Sequence, residues 1–127
     1  MARRHNFKNL KVWSKGMDAV DQVYAFTATL PDNEKYGLSS QLTRAAVSVP
    51  SNIAEGSGAS TDKDFARFIG ISLGSAFEAE TQLLICERRG FGDLLKLNDA
   101  IATINEVQRM LMAFQDQLRR RHSSTPP

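Results

Sequence analysis

Apolar positions recur at helical spacing through nearly the whole chain, and no stretch alternates with the two-residue period of a strand. Val12, Gly16, Ala19, Val23, Phe26 and Leu30 step by four and three, and Trp13, Met17, Val20 and Tyr24 form an adjacent row. They predict a first helix over about 9–29, closed by the Leu30-Pro31-Asp32-Asn33 turn. Leu38, Leu42, Ala45, Ala46, Val49 and Ile53 predict a second over about 34–55, with Gly56-Ser57-Gly58 as its stop and a glycine free to take the left-handed cap. Phe65, Ile69, Ser72, Ala76, Ala79, Leu83 and Cys86 predict a third over about 62–89. Ser60 or Thr61 serves as its N-cap, and Asp62 and Asp64 suit the positive end of its dipole. Ala100, Ile104, Val107, Leu111, Phe114 and Leu118 predict a fourth over about 94–121, begun by an Asp93 cap and with a candidate break near Asn98.

Four such helices with short connections predict an all-α antiparallel bundle, up-down-up-down. Residues 1–8 are expected to form a basic arm, 9–121 the bundle, and 122–127 a disordered tail. In this topology both chain ends lie at one pole.

Pro50 interrupts the second apolar row. A proline inside a helix removes a backbone hydrogen bond and costs about 3 kcal/mol. Ser48, Ser51 and Asn52 have short polar side chains that reach freed backbone groups. The favoured reading is a kink satisfied by those side chains. A candidate polar site or interface at the kink, made by Arg44, Ser48, Asn52 and Glu55, is one alternative, and a helix that ends and restarts is another.

Three further features bear on assembly and partners. The apolar arcs of the first and third helices are wider than a bundle interior needs, with Trp13, Met17, Tyr24 and Phe77 in excess, and Val47, Ile71 and Ile85 fall on otherwise polar faces. That pattern favours an oligomer whose bundles pack side by side. Glu80 falls inside an apolar arc. A helix flank facing solvent or a subunit boundary explains it better than a basic partner on another helix. Charge is uneven: Arg3, Arg4, Lys8, Lys11 and Lys15 precede any acid, and Arg119, Arg120 and Arg121 follow the last one. The other eight basic residues stand against all 14 acids, leaving the middle at a net −6 although the chain is +2 overall.

Composition excludes several classes. With 127 residues and 42% apolar content the chain suits a single globular domain. One cysteine, Cys86, permits no internal disulfide and fits a reducing compartment. It continues a core row and is read as a small core residue. MARRHNF has no apolar segment behind it, so no secretory signal is expected, and no apolar run approaches the roughly 20 residues that span a bilayer. A cytoplasmic location follows, with no membrane partner. The two histidines, His5 and His122, lie in the terminal arms, and the chain lacks metal-ligand spacing and the Glu-x-x-His motifs of bundle di-iron sites. Gly56-Ser57-Gly58 and Gly90-Phe91-Gly92 lack the ending of a phosphate loop and are read as helix-joining turns. No cofactor, metal or catalytic residue is expected.

The segments FKNLKVWSKGMDAVDQVY, EKYGLSSQLTRAAVSVPSNIAEG and FARFIGISLGSAFEAETQL resemble the family of 23S ribosomal RNA intervening-sequence proteins, over roughly Phe7 to Leu118. The resemblance implies a four-helix bundle assembled as a ring-like homopentamer, with no established enzymatic activity. A more distant similarity, to the accessory variability determinant of diversity-generating retroelements, implies a basic pentameric barrel that engages nucleic acid and a reverse transcriptase.

Arginines in the last turn of a helix suit its dipole, whereas lysines in the first turn do not. Solubility is one explanation of the basic ends and phosphate binding the other; on the second, the expected nucleic-acid-binding residues are Arg3, Arg4, Lys8, Lys11, Lys15, Arg119, Arg120 and Arg121, with RNA placed ahead of DNA by the resemblance. Contacts would go to phosphates and shape, since no base-reading motif is present. The competing expectation is an oligomeric scaffold that docks another protein.

Overall fold

The computed structural model describes residues 6–123, with side chains through Arg121. After a 3-10 turn at Phe7–Asn9 come four α-helices: α1 (Lys11–Thr27), α2 (Leu38–Ser57), α3 (Asp62–Arg89) and α4 (Leu94–Ser123). No strand occurs among the described residues. Each helix packs on its neighbours in sequence and α1 closes against α4, so α1 and α3 are diagonal. Neighbouring helices are antiparallel. Gln41 bonds Gln82 and Ser48 bonds Ser75 across α2 and α3, and Gln115 bonds the Ala66 carbonyl while Gln108 bonds that of Ala76 across α3 and α4.

The alternating rows converge on one core. Val23, Phe26, Leu42, Val49, Ile53, Ile69, Leu83, Ile104, Leu111 and Leu118 are fully buried. Each such side chain contributes about 1.5–3 kcal/mol by leaving water. Phe65 adds an edge-on contact to Phe114, with ring centroids 5.2 Å apart.

The helix limits differ from expectation where turn chemistry intervenes. Residues 32–34 form a separate 3-10 turn, and α2 starts only at Leu38, after Gly37 adopts a non-helical conformation. Helix α2 runs on to Ser57, and its cap, Gly58, has φ −88°, so the expected left-handed glycine is absent there. Gly56 instead lies inside the helix at a close crossing: a Cβ on it would stand 2.6 Å from Phe68 Cβ and 2.8 Å from Phe65 Cδ1. The left-handed cap belongs to α3, at Gly90 with φ 68°. Thr61 caps the start of α3 by accepting from Asp64 N–H, and Asp93 accepts from Lys96 N–H at the start of α4. Helix α4 has no break near Asn98.

Helix α2 continues through Pro50 without ending and restarting. Side chains cover the carbonyls beside the proline. Ser51 Oγ donates to Val47 O at 2.7 Å and Asn52 Nδ2 donates to Ser48 O at 2.8 Å. Ser72 Oγ reaches across from α3 to Val49 O at 2.8 Å, in a buried position. The proline ring packs where α1 offers Gly16, whose added Cβ would stand 3.6 Å from Pro50 Cβ. Glu80 is half-buried, so its flank still reaches solvent, and it accepts from Gln108 Nε2 at 2.9 Å: a neutral amide from α4, in place of a basic residue, meets its inner side.

Candidate nucleic-acid interface

The antiparallel topology gathers the start of α1, the end of α2, the start of α3 and the end of α4 at one pole. Lys8 sits in the 3-10 turn and Lys11 opens α1, both exposed. Helix α1 has no side-chain cap on its first amides and no acid in its first turn. Its positive dipole end therefore adds to the lysine charge. Helix α3, at the same pole, has the opposite arrangement, with the Thr61 cap and with Asp62 and Asp64 in its first turn.

Arg119, Arg120 and Arg121 end α4 beside these groups. Arg121 pairs with Asp62 at 3.1 Å. Arg119 borders a notch shared with Thr61, Lys63, Asp64 and Arg67. Lys63 and Arg67 are thus basic residues of this pole that charge counting at the chain ends missed. The signal was present: an up-down bundle puts the start of its third helix beside the start of its first. Arg67 also bonds Asp64 at 2.9 Å and lies over the Phe68 ring at 4.4 Å. Lys15, one turn into α1, is engaged with Glu106 at 3.2 Å, which turns its charge toward α4. The pole is consequently basic but interleaved with Asp62, Asp64 and Asp116. Of the expected 122–127 tail, residues 122 and 123 belong to α4 and 124–127 lie outside the described residues, as do Arg3, Arg4, His5 and the His122 side chain.

The four residues expected around Pro50 divide into two pairs. Ser48 and Asn52 bond each other at 2.9 Å and face α3, where Ser48 meets Ser75 Oγ at 2.8 Å. Arg44 and Glu55 stand exposed on the outer side of α2, three turns apart, so no single pocket unites them with Asn52.

Cys86 is a buried free thiol. Burial pushes its pKa up, and nearby Glu34 pushes in the same direction. A thiol so held stays protonated and is a poor nucleophile. Among the described residues no group of three His, Cys, Asp or Glu side chains is placed to hold a metal ion. No helix among them is long and apolar enough to cross a membrane.

The family model for the 23S rRNA-intervening sequence protein matches residues 8–113. A solved structure with the same fold is a protein of unknown function from the S23 ribosomal protein family of Bacteroides thetaiotaomicron. Its TM-score is 0.73 at 21% identity, covering 82% of this chain and 97% of that one. No curated protein matches the sequence. With a match spanning α1, α2, α3 and most of α4, the chain belongs to the 23S rRNA-intervening sequence protein family.

Proposed function

We propose that this chain is a non-enzymatic, cytoplasmic, homopentameric four-helix-bundle protein that binds nucleic acid, RNA ahead of DNA, through its basic pole. The observation that carries the reading is the start of α1, which Lys11 opens and Lys8 shortly precedes, with no side-chain cap and no acid in its first turn. That arrangement works against helix stability and in favour of an anion. The arginines of α4, with Lys63, extend the same pole into a surface that tracks phosphates. The family's link to ribosomal RNA favours RNA. In a pentamer the basic residues of this pole would be repeated five times on one face, a steering field for a polyanion that Asp62 and Asp64 temper.

Fluorescence anisotropy with structured RNA, single-stranded RNA and duplex DNA tests this. The parent is compared with a variant in which Arg3, Arg4, Lys8 and Arg119 to Arg121 are changed to serine. Salt-sensitive binding by the parent, lost in a variant of equal assembled mass, supports the reading.

A second reading has its own observation. The opposite pole exposes Tyr36, Leu95 and Leu94 by 88%, 77% and 62%. Exposed apolar side chains gathered at one pole suit a protein partner. Capture of a purified partner in the presence of nuclease, with no RNA binding, would favour the scaffold.

A further inference from the structure

Two apolar faces of the bundle have no partner among the described residues. One is a groove between α1 and α2 lined by Trp13, Met17, Val20, Tyr24, Val47 and Pro50. The other is the outer ridge of α3, where Ile71, Phe77, Leu84 and Ile85 are each exposed by 40% or more. The two differ in shape and lie on different sides of the molecule, because α3 is diagonal to α1. Unlike faces that complement each other join head to tail, the contact that closes rings.

Gly74 sits on the α3 ridge, one turn from Ile71 and from Glu78. A Cβ there would meet nothing within 4 Å, and the residue's φ is not positive. Neither backbone strain nor packing within the chain calls for glycine, although glycine weakens a helix relative to alanine. A missing side chain on an exposed apolar ridge admits the close approach of another backbone.

Charge then selects the occupant and its orientation. The outer row of α2 reads Arg44, Val47, Ser51, Glu55, and the ridge of α3 reads Arg67, Ile71, Gly74, Glu78. Each row carries its two charges eleven positions apart, about 16 Å along the helix. The Gln41–Gln82 and Ser48–Ser75 bonds fix the relative height of the two helices. By that register Glu55 stands level with Arg67, and Arg44 level with Glu78. Copies standing side by side with the same pole up oppose unlike charges at both levels. An inverted neighbour would oppose like charges at both, which disfavours it.

We propose that the α3 ridge of one copy lies in the α1/α2 groove of the next, basic poles facing the same way, with Arg67 meeting Glu55 and Glu78 meeting Arg44. This rests on the homo-oligomer in the function proposed above and names the surfaces that build it. Pro50 then has a second use: its ring forms part of the wall against which the neighbour packs.

The test is light scattering on the full chain across a dilution series, with circular dichroism at each point. The variants are Gly74→Leu, Arg44→Glu, and Arg44→Glu combined with Glu78→Arg. The parent should assemble, and Gly74→Leu should stay helical and become monomeric. Arg44→Glu should raise the midpoint concentration of assembly about tenfold, and the double reversal should return it to within about threefold of the parent. A Gly74→Leu protein with the parent's assembled mass overturns the face assignment and leaves the oligomer standing. A double reversal no better than Arg44→Glu overturns the charge register. A parent that is monomeric throughout overturns the oligomer itself.

Discussion

Two glycines inside helices should respond to alanine with opposite signs. At Gly56 of α2 the new Cβ would stand 2.6 Å from Phe68 Cβ and 2.8 Å from Phe65 Cδ1. The first of these atoms is fixed to the α3 backbone, and Phe65 is 2% exposed and held edge-on by Phe114. Neither can yield without parting α2 from α3. Overpacking of this kind costs about 1–3 kcal/mol, whereas alanine returns only about 1 kcal/mol of helix propensity. With two close contacts against buried atoms the overpacking term wins, and a net loss of about 1–2 kcal/mol is expected. At Gly16 of α1 the new Cβ meets Val49 Cγ1 at 3.5 Å and Pro50 Cβ at 3.6 Å, ordinary contact distances. Gly16→Ala should therefore gain about 0.5–1 kcal/mol. Urea unfolding followed by circular dichroism, at one chain concentration for all three proteins, measures both values. A Gly56→Ala protein as stable as the parent would refute the claim that this glycine is required by the α2–α3 crossing.

Other expectations follow from the same geometry. Ser72→Ala should cost about 0.5–1.5 kcal/mol because it removes a buried hydrogen bond from α3 to the Val49 carbonyl, while Ser51→Ala, at an exposed carbonyl, should cost under about 0.5 kcal/mol; parallel urea titrations compare them. Lys11→Glu should stabilise the fold by about 0.3–1 kcal/mol, since it places an acid at the uncapped start of α1, yet weaken RNA binding; melting and anisotropy on one sample read both signs. The raised pKa of Cys86 means that the folded state holds the thiol proton more tightly than the unfolded state. Its contribution is full below the ordinary thiol value of 9.0 and is lost as pH rises from there through the folded value, so Cys86→Ala should show a shallower alkaline decline in stability.

What the sequence made legible was whatever depends on period and local chemistry. The four-three rows of α3 and α4 located the core, and Thr61 and Asp93 marked two helix starts because caps are local. The start of α2 was less legible, since Glu34 and Lys35 suit a helix, yet Glu34 ends a 3-10 turn and Lys35 lies in the turn that runs on to Gly37. Gly56 read as a stop because its reason for being glycine, Phe65 and Phe68, arrives only when α3 folds back. The partner of the Val49 carbonyl was hidden for the same reason, since Ser72 lies 23 residues away. Glu80 likewise found an amide on α4 that no local pattern announces. At the candidate site, charge asymmetry pointed to the two chain ends, but Lys63 and Arg67 join them only through topology, as do the acids Asp62 and Asp64 that temper the pole.

The most direct test of the central claim is the salt dependence of RNA binding by the assembled parent and by a Lys8→Ser, Lys11→Ser double variant. Each phosphate contact to single-stranded RNA contributes about 0.7 to the slope of log affinity against log salt. Measurable binding at about 50 mM salt is expected, with a steep slope for the parent and a slope lower by about 1.4 per chain engaged in the variant. No binding by the parent at that salt, or a slope unchanged by removing both lysines, would contradict it.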